Sequence, residues 1–374
     1  MHSAHKFHRG LPGYSPTPLH SMAGLAGKLG VRSILLKDES KRFGLNAFKA
    51  LGASFAIAGI VARKLSDDTE CASLPAFGEL RERMESSGLG PLTFITATDG
   101  NHGRAVAWSA RMLGSKAVVF MPKGSAGARV EAIRGEGAEV IVTDSNYDDA
   151  VRMASGYASA NGATVVQDTA WDGYAEVPDM IMQGYLTILS EISEQITDMG
   201  EGMPSHVILQ AGVGSFAGSM LAGLECLAPE AVPMALIAEP VNAACYLLSS
   251  SRHGGGIAKV SGGLDTIMAG LACGEPNPRA WSVIMRLASA FAACSDSIAK
   301  EGMRLLACPS GDDPAVVSGE SGAVGAGLLS HVMSEPGLKD LKAAMGLNDK
   351  SSVLLISTEG DTDPESYRRI TEGE

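Results

Sequence analysis

The sequence predicts an α/β fold in two domains, with parallel-rich sheets flanked by helices, and three observations carry that reading. From Leu92 onward, short continuous apolar runs alternate with helical stretches, the pattern of parallel strands buried on both faces. A glycine-rich loop, Ala211 to Gly218, follows the apolar run His206 to Leu209 and opens a helix. Strand-like runs near both chain ends, Ser33 to Asp38 and Val353 to Ile356, build the larger domain from both ends. A chain of 374 residues, 45% apolar and 19% charged, is long enough for one or two such cores.

In chain order, residues 1–32 read as an N-terminal arm, with Pro16-Thr17-Pro18-Leu19 ahead of a helix from Met22 to Leu29. Strand 33–38 leads through a turn, Ser40 to Leu45, to an alanine-rich helix opened by Lys49. Residues 66–90 are acidic and turn-rich and read as an inserted loop or helical hairpin. Then strands Thr93–Ala97, Lys116–Met121, Ala138–Val142 and Ala163–Gln167 alternate with helices Gly103–Leu113, Ala126–Arg134 and Tyr147–Asn161. This block, 91–167, is the expected small domain, closing over the active site; 1–90 and 168–374 form the large one. A long helix, Pro178 to Met199, returns the chain to it. Strands His206–Leu209 and Met234–Ala238 follow, separated by a glycine-led helix. Residues 241–280 are loop-rich, helices are expected near 281–306 and 322–347, and Val353 to Ile356 is the last strand.

A net charge of −12 argues against a nucleic-acid partner. No run reaches the roughly 18 apolar residues of a membrane span, and Met1 to Phe7 lacks the apolar core of a signal peptide, so a cytoplasmic location is expected. The six cysteines, at 71, 226, 245, 273, 294 and 308, include no CxxC pair, so no metal site is expected. Cys245 and Cys273 lie in adjoining loop-rich segments that can meet.

Several residues carry chemistry. Lys49 sits among apolar residues at a helix N-terminus, where the dipole and the flanks disfavour its ammonium form; it is either a Schiff-base nucleophile or a snorkelling surface lysine. Gly212-Val213-Gly214-Ser215 can bring backbone N–H groups to a phosphate, either a single one or that of a dinucleotide, for which Glu239 lies at a suitable distance. Asn101 follows a strand, as a polar partner for a ligand or as a helix cap. Asp99 and Asp168 are strand-end carboxylates, either caps or a pair whose mutual repulsion suits acid-base work. His102 is a general base or part of the Gly-Asn-His-Gly turn.

Five stretches occur in one order: Asn46-Ala47-Phe48-Lys49, Thr98-Asp99-Gly100-Asn101-His102-Gly103, Gln210-Ala211-Gly212-Val213-Gly214-Ser215, Ser318-Gly319-Glu320-Ser321-Gly322 and Ser357-Thr358-Glu359-Gly360-Asp361. Together they resemble the fold-type II, tryptophan synthase β-like, pyridoxal-phosphate enzymes, from about Pro16 to Tyr367. The resemblance implies pyridoxal 5'-phosphate on Lys49, with its phosphate at Gly212, Val213, Gly214 and Ser215 and its ring hydroxyl at Asn101. Ser357 or Thr358 faces the pyridine nitrogen, and Glu320 lies near the cofactor. Thr98, Asp99, Gly100, His102 and Asp168 are implied to meet a small amino-acid substrate, the Thr98–His102 turn taking its carboxylate, and a homodimer is implied as well.

Within that family, Gln167-Asp168-Thr169-Ala170-Trp171 and the run Ile267 to Pro276 are similar to those of the ammonia-lyases that act on 2,3-diaminopropionate. Asp99 stands where serine and threonine dehydratases usually carry serine. The implied reaction is α,β-elimination of ammonia, giving pyruvate and two ammonia. Lys49 takes the α-proton of the L-isomer, Asp99 that of the D-isomer, and a carboxylate positions or protonates the leaving group. The alternatives are a serine, threonine or hydroxyaspartate dehydratase of the same fold, a non-catalytic amino-acid-binding regulatory protein, and a nicotinamide dehydrogenase.

Overall fold

A computed structural model of the chain describes residues 2–66, 74–98, 100–252 and 256–373. Its strands are β1 Leu19–Ser21, β2 Ser33–Asp38, β3 Thr93–Ala97, β4 Lys116–Met121, β5 Glu139–Val142, β6 Thr164–Val165, β7 His206–Gln210, β8 Met234–Pro240, β9 Ala288–Cys294 and β10 Ser352–Ser357. The chain divides into two compact units, one of Met1–Ser15 and Ala47–Ser190, the other of Pro16–Asn46 and Glu191–Glu374.

The first unit carries a wholly parallel sheet in the order β5-β4-β3-β6. Ile95 and Ala97 of β3, Val118 and Phe120 of β4, and Ala150, Ala154 and Ala158 of the helix Tyr147–Asn161 pack into one buried cluster. That helix starts where Asn146 Oδ1 accepts from the Asp149 N–H at 2.9 Å. The sequence reading drew a small domain at 91–167, whereas this unit also takes in the Lys49–Leu65 helix and the chain from 168 to 190. Within this unit a Cβ on Gly184 would fall 2.4 Å from the Leu51 carbonyl oxygen, so glycine there allows a close helix contact. Of the 66–90 segment, Phe77–Ser86 is a helix and residues 67–73 lie outside those described.

The second unit carries a six-stranded sheet in the order β1-β2-β10-β7-β8-β9, parallel except for β1 against β2. β7 and β10 are buried along their whole lengths, as continuous apolar runs in a central parallel sheet require. One large core spans the unit, from Leu25 and Leu36 through Leu236 and Met303 to Val324 and Leu355. β9 corrects the sequence reading, which placed helix across 281–306. The chain is helical over Pro278–Leu287 and Asp296–Ala307, but the alanine-rich run between them pairs with β8 at the sheet edge. Alanine favours helix locally, and pairing with β8 overrides it. The N-terminal arm contributes a helix, His2–Arg9, to the first unit, and the chain ends in a helix Pro364–Glu372 in the second.

A buried charge cluster fixes the start of the second unit. Arg42 donates to both carboxylate oxygens of Glu39 and of Glu191 at 2.7–2.9 Å. Lys37 Nζ donates to Glu191 at 2.7 Å, to Gln195 Oε1 at 2.8 Å and to the Thr17 carbonyl at 2.8 Å. Asn46, at φ 61°, is held by Asp361 and by the Gly360 N–H, each at 3.0 Å, three residues before Lys49. No helix among the described residues is long and apolar enough to cross a membrane.

Candidate active site

In the first unit, Lys49 is the first residue of the helix Lys49–Leu65. A Cβ on Gly52 would fall 2.6 Å from Tyr185 Cε1, so glycine there lets the fully buried Tyr185 lie beside Lys49. The Phe48 ring packs at 4.7 Å on Tyr185, and Lys49 Nζ stands 5.4 Å from the Phe48 centroid.

Asp168 follows β6 and is 5% exposed. Its neighbour Gln167 holds it in place: Gln167 Oε1 accepts from Thr96 Oγ1 at 2.8 Å and from the Ala97 N–H at 3.1 Å, and Nε2 donates to Ala97 O and Tyr147 Oη. Lys49 Nζ donates to Asp168 Oδ2 at 2.5 Å. Burial pushes the Asp168 carboxyl up, but the Lys49 charge, His102 and the Lys49 hydrogen bond outweigh it and hold it at about 2. The carboxylate is therefore ionised at neutral pH.

His102 lies on the same side. Its Nε2 faces the Val166 carbonyl at 2.9 Å, and a carbonyl only accepts, so Nε2 carries the proton. Nδ1 is then an acceptor, buried, without a hydrogen-bond partner and 4.0 Å from Asp168 Oδ2. Burial lowers the His102 pKa against the pull of Asp168 and keeps the ring neutral. Thr98 Oγ1 accepts from the Gly100 N–H at 3.0 Å, so one donor of the turn expected to take a carboxylate is engaged by Thr98. Asn101 opens the helix Asn101–Met112, and Asp99 lies outside the described residues.

In the second unit, Gly212 to Ser215 join β7 to the helix Ser215–Leu227. A Cβ on Gly212 would fall 3.1 Å from the Gly270 carbonyl and 3.3 Å from Cys273 Sγ. Cys245 is a buried thiol whose Sγ lies 3.8 Å from the Gly212 carbonyl, so both cysteines flank the loop. Gly214 has φ 91°, where any side chain is strained. At the end of β10, Ser357 Oγ donates to Ser318 Oγ at 2.7 Å, while Thr358 Oγ1 accepts from Gln210 Nε2 at 2.8 Å. Gln210 Oε1 is buried without a hydrogen-bond partner just ahead of the loop. Glu320 accepts from Ser366 Oγ at 2.9 Å.

Comparison with known proteins shows the family. A sequence model of the family described as pyridoxal-phosphate dependent enzyme matches residues 11–358. The chain belongs to this family. It is 49% identical over 368 residues to a diaminopropionate ammonia-lyase of Escherichia coli K12, covering 98% of this chain and 90% of that one. A crystal structure of the Escherichia coli enzyme in complex with D-serine matches with a TM-score of 0.91 at 48% identity, covering 100% of this chain and 92% of that chain. A biosynthetic L-threonine dehydratase of Salmonella typhimurium is 28% identical over 229 residues, 61% of this chain and 37% of that one.

The residues present fit the cofactor that defines the pyridoxal-phosphate dependent family. A lysine at a helix start faces a carboxylate, and a glycine turn opens a helix whose dipole favours an anion. The buried acceptors His102 Nδ1 and Gln210 Oε1 lack protein partners. Sequence reading singled out Lys49, His102 and Asp168, which the first unit brings together, and the 212–215 loop and Ser357–Thr358 in the second. It assigned no role to Gln167, Tyr185, Tyr246 or Asn277. Only Asn277-Pro278 carries a local signal, that of a helix start.

Proposed function

We propose that this chain eliminates ammonia from 2,3-diaminopropionate with pyridoxal 5'-phosphate as cofactor, and that the product is hydrolysed by one water to pyruvate and a second ammonia. The observation that carries this is the 2.5 Å contact between Lys49 and Asp168, in a chain 49% identical over 98% of its length to an enzyme of that name. When bound, pyridoxal phosphate supplies an electron sink for the carbon that loses its proton.

The chain's residues do the rest. Lys49 would hold the cofactor, and its free amine would take the α-proton of the L-isomer. Asp168, ionised and in contact with Nζ, stabilises the ammonium that Lys49 becomes. Its charge also attracts the β-ammonium group of the substrate, which departs as neutral ammonia with its three hydrogens and the carbon–nitrogen bonding pair, while the pair freed at the α-carbon by loss of its proton forms the new double bond. His102 Nδ1 accepts a hydrogen bond from the substrate in the same place. For the D-isomer the α-proton faces the other way and Asp99 takes it; the D-serine complex of the Escherichia coli relative supports acceptance of D-configured ligands. Gly212, Val213, Gly214 and Ser215 take the phosphate, Asn101 the ring hydroxyl, and Ser357 or Thr358 the pyridine nitrogen. A cytoplasmic homodimer is part of the proposal, and sedimentation tests the oligomeric state.

The test is release of pyruvate and ammonia from L- and D-2,3-diaminopropionate and from L-serine, by wild type, Lys49→Ala and Asp99→Asn. Wild type should turn over both diaminopropionate isomers, Lys49→Ala neither, and Asp99→Asn should lose the D-isomer selectively. Turnover of serine but not of diaminopropionate would overturn the substrate assignment.

A further inference from the structure

Two residues outside the motifs hold the glycine loop of the second unit. The Val213 carbonyl oxygen accepts from Tyr246 Oη at 2.8 Å and from the Asn277 N–H at 2.7 Å. A trans peptide sets its C=O and N–H on opposite sides, so these two donors aim the Gly214 N–H away from both. Tyr246 also fills the space behind Gly214, where a Cβ would fall 2.0 Å from its hydroxyl oxygen. Tyr246 is itself anchored, its N–H donating to Glu239 at 2.7 Å.

Asn277 is fully buried. Its Oδ1 accepts from the Arg279 N–H at 3.0 Å and caps the helix Pro278–Leu287. A backbone N–H only donates, so the orientation of the amide is settled, and Nδ2 faces Ser215 Oγ at 2.7 Å. Ser215 Oγ is the acceptor there, which directs its own hydrogen to another acceptor. Ser215 opens a 13-residue helix, whose N-terminal field favours an anion as that acceptor.

We infer that Asn277 and Tyr246 are positioning residues for the cofactor's phosphate. Asn277 fixes the direction in which the Ser215 hydroxyl donates, and Tyr246 holds the Val213–Gly214 peptide. The inference rests on the 212–215 loop being the phosphate site.

The test compares pyridoxal phosphate with pyridoxal, which lacks the phosphate. Enzyme stripped of cofactor is titrated with each, and the phosphorus resonance of bound pyridoxal phosphate is recorded. The variants are Ser215→Ala, Asn277→Asp and Tyr246→Phe. Asn277→Asp keeps the acceptor for Arg279 but cannot donate to Ser215, whose hydroxyl then turns to the new carboxylate. It should weaken pyridoxal phosphate about tenfold or more, change pyridoxal less than about twofold, and move the phosphorus resonance. Tyr246→Phe keeps the ring behind Gly214 and should give a smaller selective loss. If Ser215→Ala lowers the preference for pyridoxal phosphate while neither other variant does, the inference falls and the loop reading stands. Equal loss of both ligands in Asn277→Asp also overturns it. An unchanged preference in Ser215→Ala overturns the role given to Asn277, which acts through that hydroxyl, and an unchanged preference in all three variants removes the loop reading itself.

Discussion

Among the described residues, two lysines face buried carboxylates, and they differ in what surrounds them. Lys37 and its partner Glu191 are both wholly inaccessible. All three donors of Lys37 have acceptors, and Arg42 closes the cluster with paired bonds to Glu39 and Glu191. The side chains of Lys49 and Asp168 remain 17% and 8% exposed, and the buried Nδ1 of His102 nearby has no hydrogen-bond partner. Burial of a charge pair therefore does not mark the chemistry, since a completed network leaves nothing for a ligand to bond. What marks the Lys49 site is a pair set among groups that still have bonds to make.

The largest effect should come from Asp168→Asn. It keeps the shape but removes the charge facing Lys49, and kcat/KM of the folded enzyme should fall by roughly 10²–10⁴-fold. A variant that loses stability but keeps kcat would place Asp168 with the structural cluster and dissolve the contrast. Arg42→Met tests the other side. It strands Glu39 and Glu191 without their main partner, a loss of about 3–5 kcal/mol of stability, read from denaturant unfolding. The folded fraction should retain its kcat; a loss of kcat at full folding would mean that the cluster acts on the site.

The contrast also explains what the sequence disclosed. Strands β2, β3, β4 and β10 and the helix Tyr147–Asn161 were legible, because each repeats one apolar period with turn residues at its ends. β9 was not, since an alanine-rich run has a helical preference until β8 supplies its edge partner. The helix Pro364–Glu372 was overlooked although Asp363-Pro364 is a start signal, and Asp363 does cap it. Lys49, His102 and Asp168 stood out because they sit inside recognisable motifs. Asn277 reaches Ser215 across 62 residues of sequence and Tyr246 reaches Val213 across 33. Supports of that kind arise from tertiary contact, so no local pattern announces them.

The smallest effect, and the finest test of the contrast, is the acid limb of stability. Burial pushes the Glu191 carboxyl up, but the bonds and charge of Arg42 and the charge of Lys37 hold it at about 2 against an ordinary 4.5. Asp168 is held at about 2 against 3.8. Both folded values are depressed, so the unfolded chain takes up protons first as pH falls. The stability each carboxylate contributes is complete above its unfolded value and is lost as pH falls toward about 2. Glu191 has no exposure and accepts from both Lys37 and Arg42, so it should set more of the slope. Between about pH 5 and 3, the urea midpoint of wild type should decline. Glu191→Gln should flatten that decline more than Asp168→Asn, whatever each does to stability at neutral pH. The slope is the readout because Glu191→Gln also leaves Arg42 and Lys37 short of a counter-charge. Equal flattening by the two variants would show that the completed network and the Lys49 pair resist protonation alike, and the distinction drawn between them would have to rest on catalysis alone.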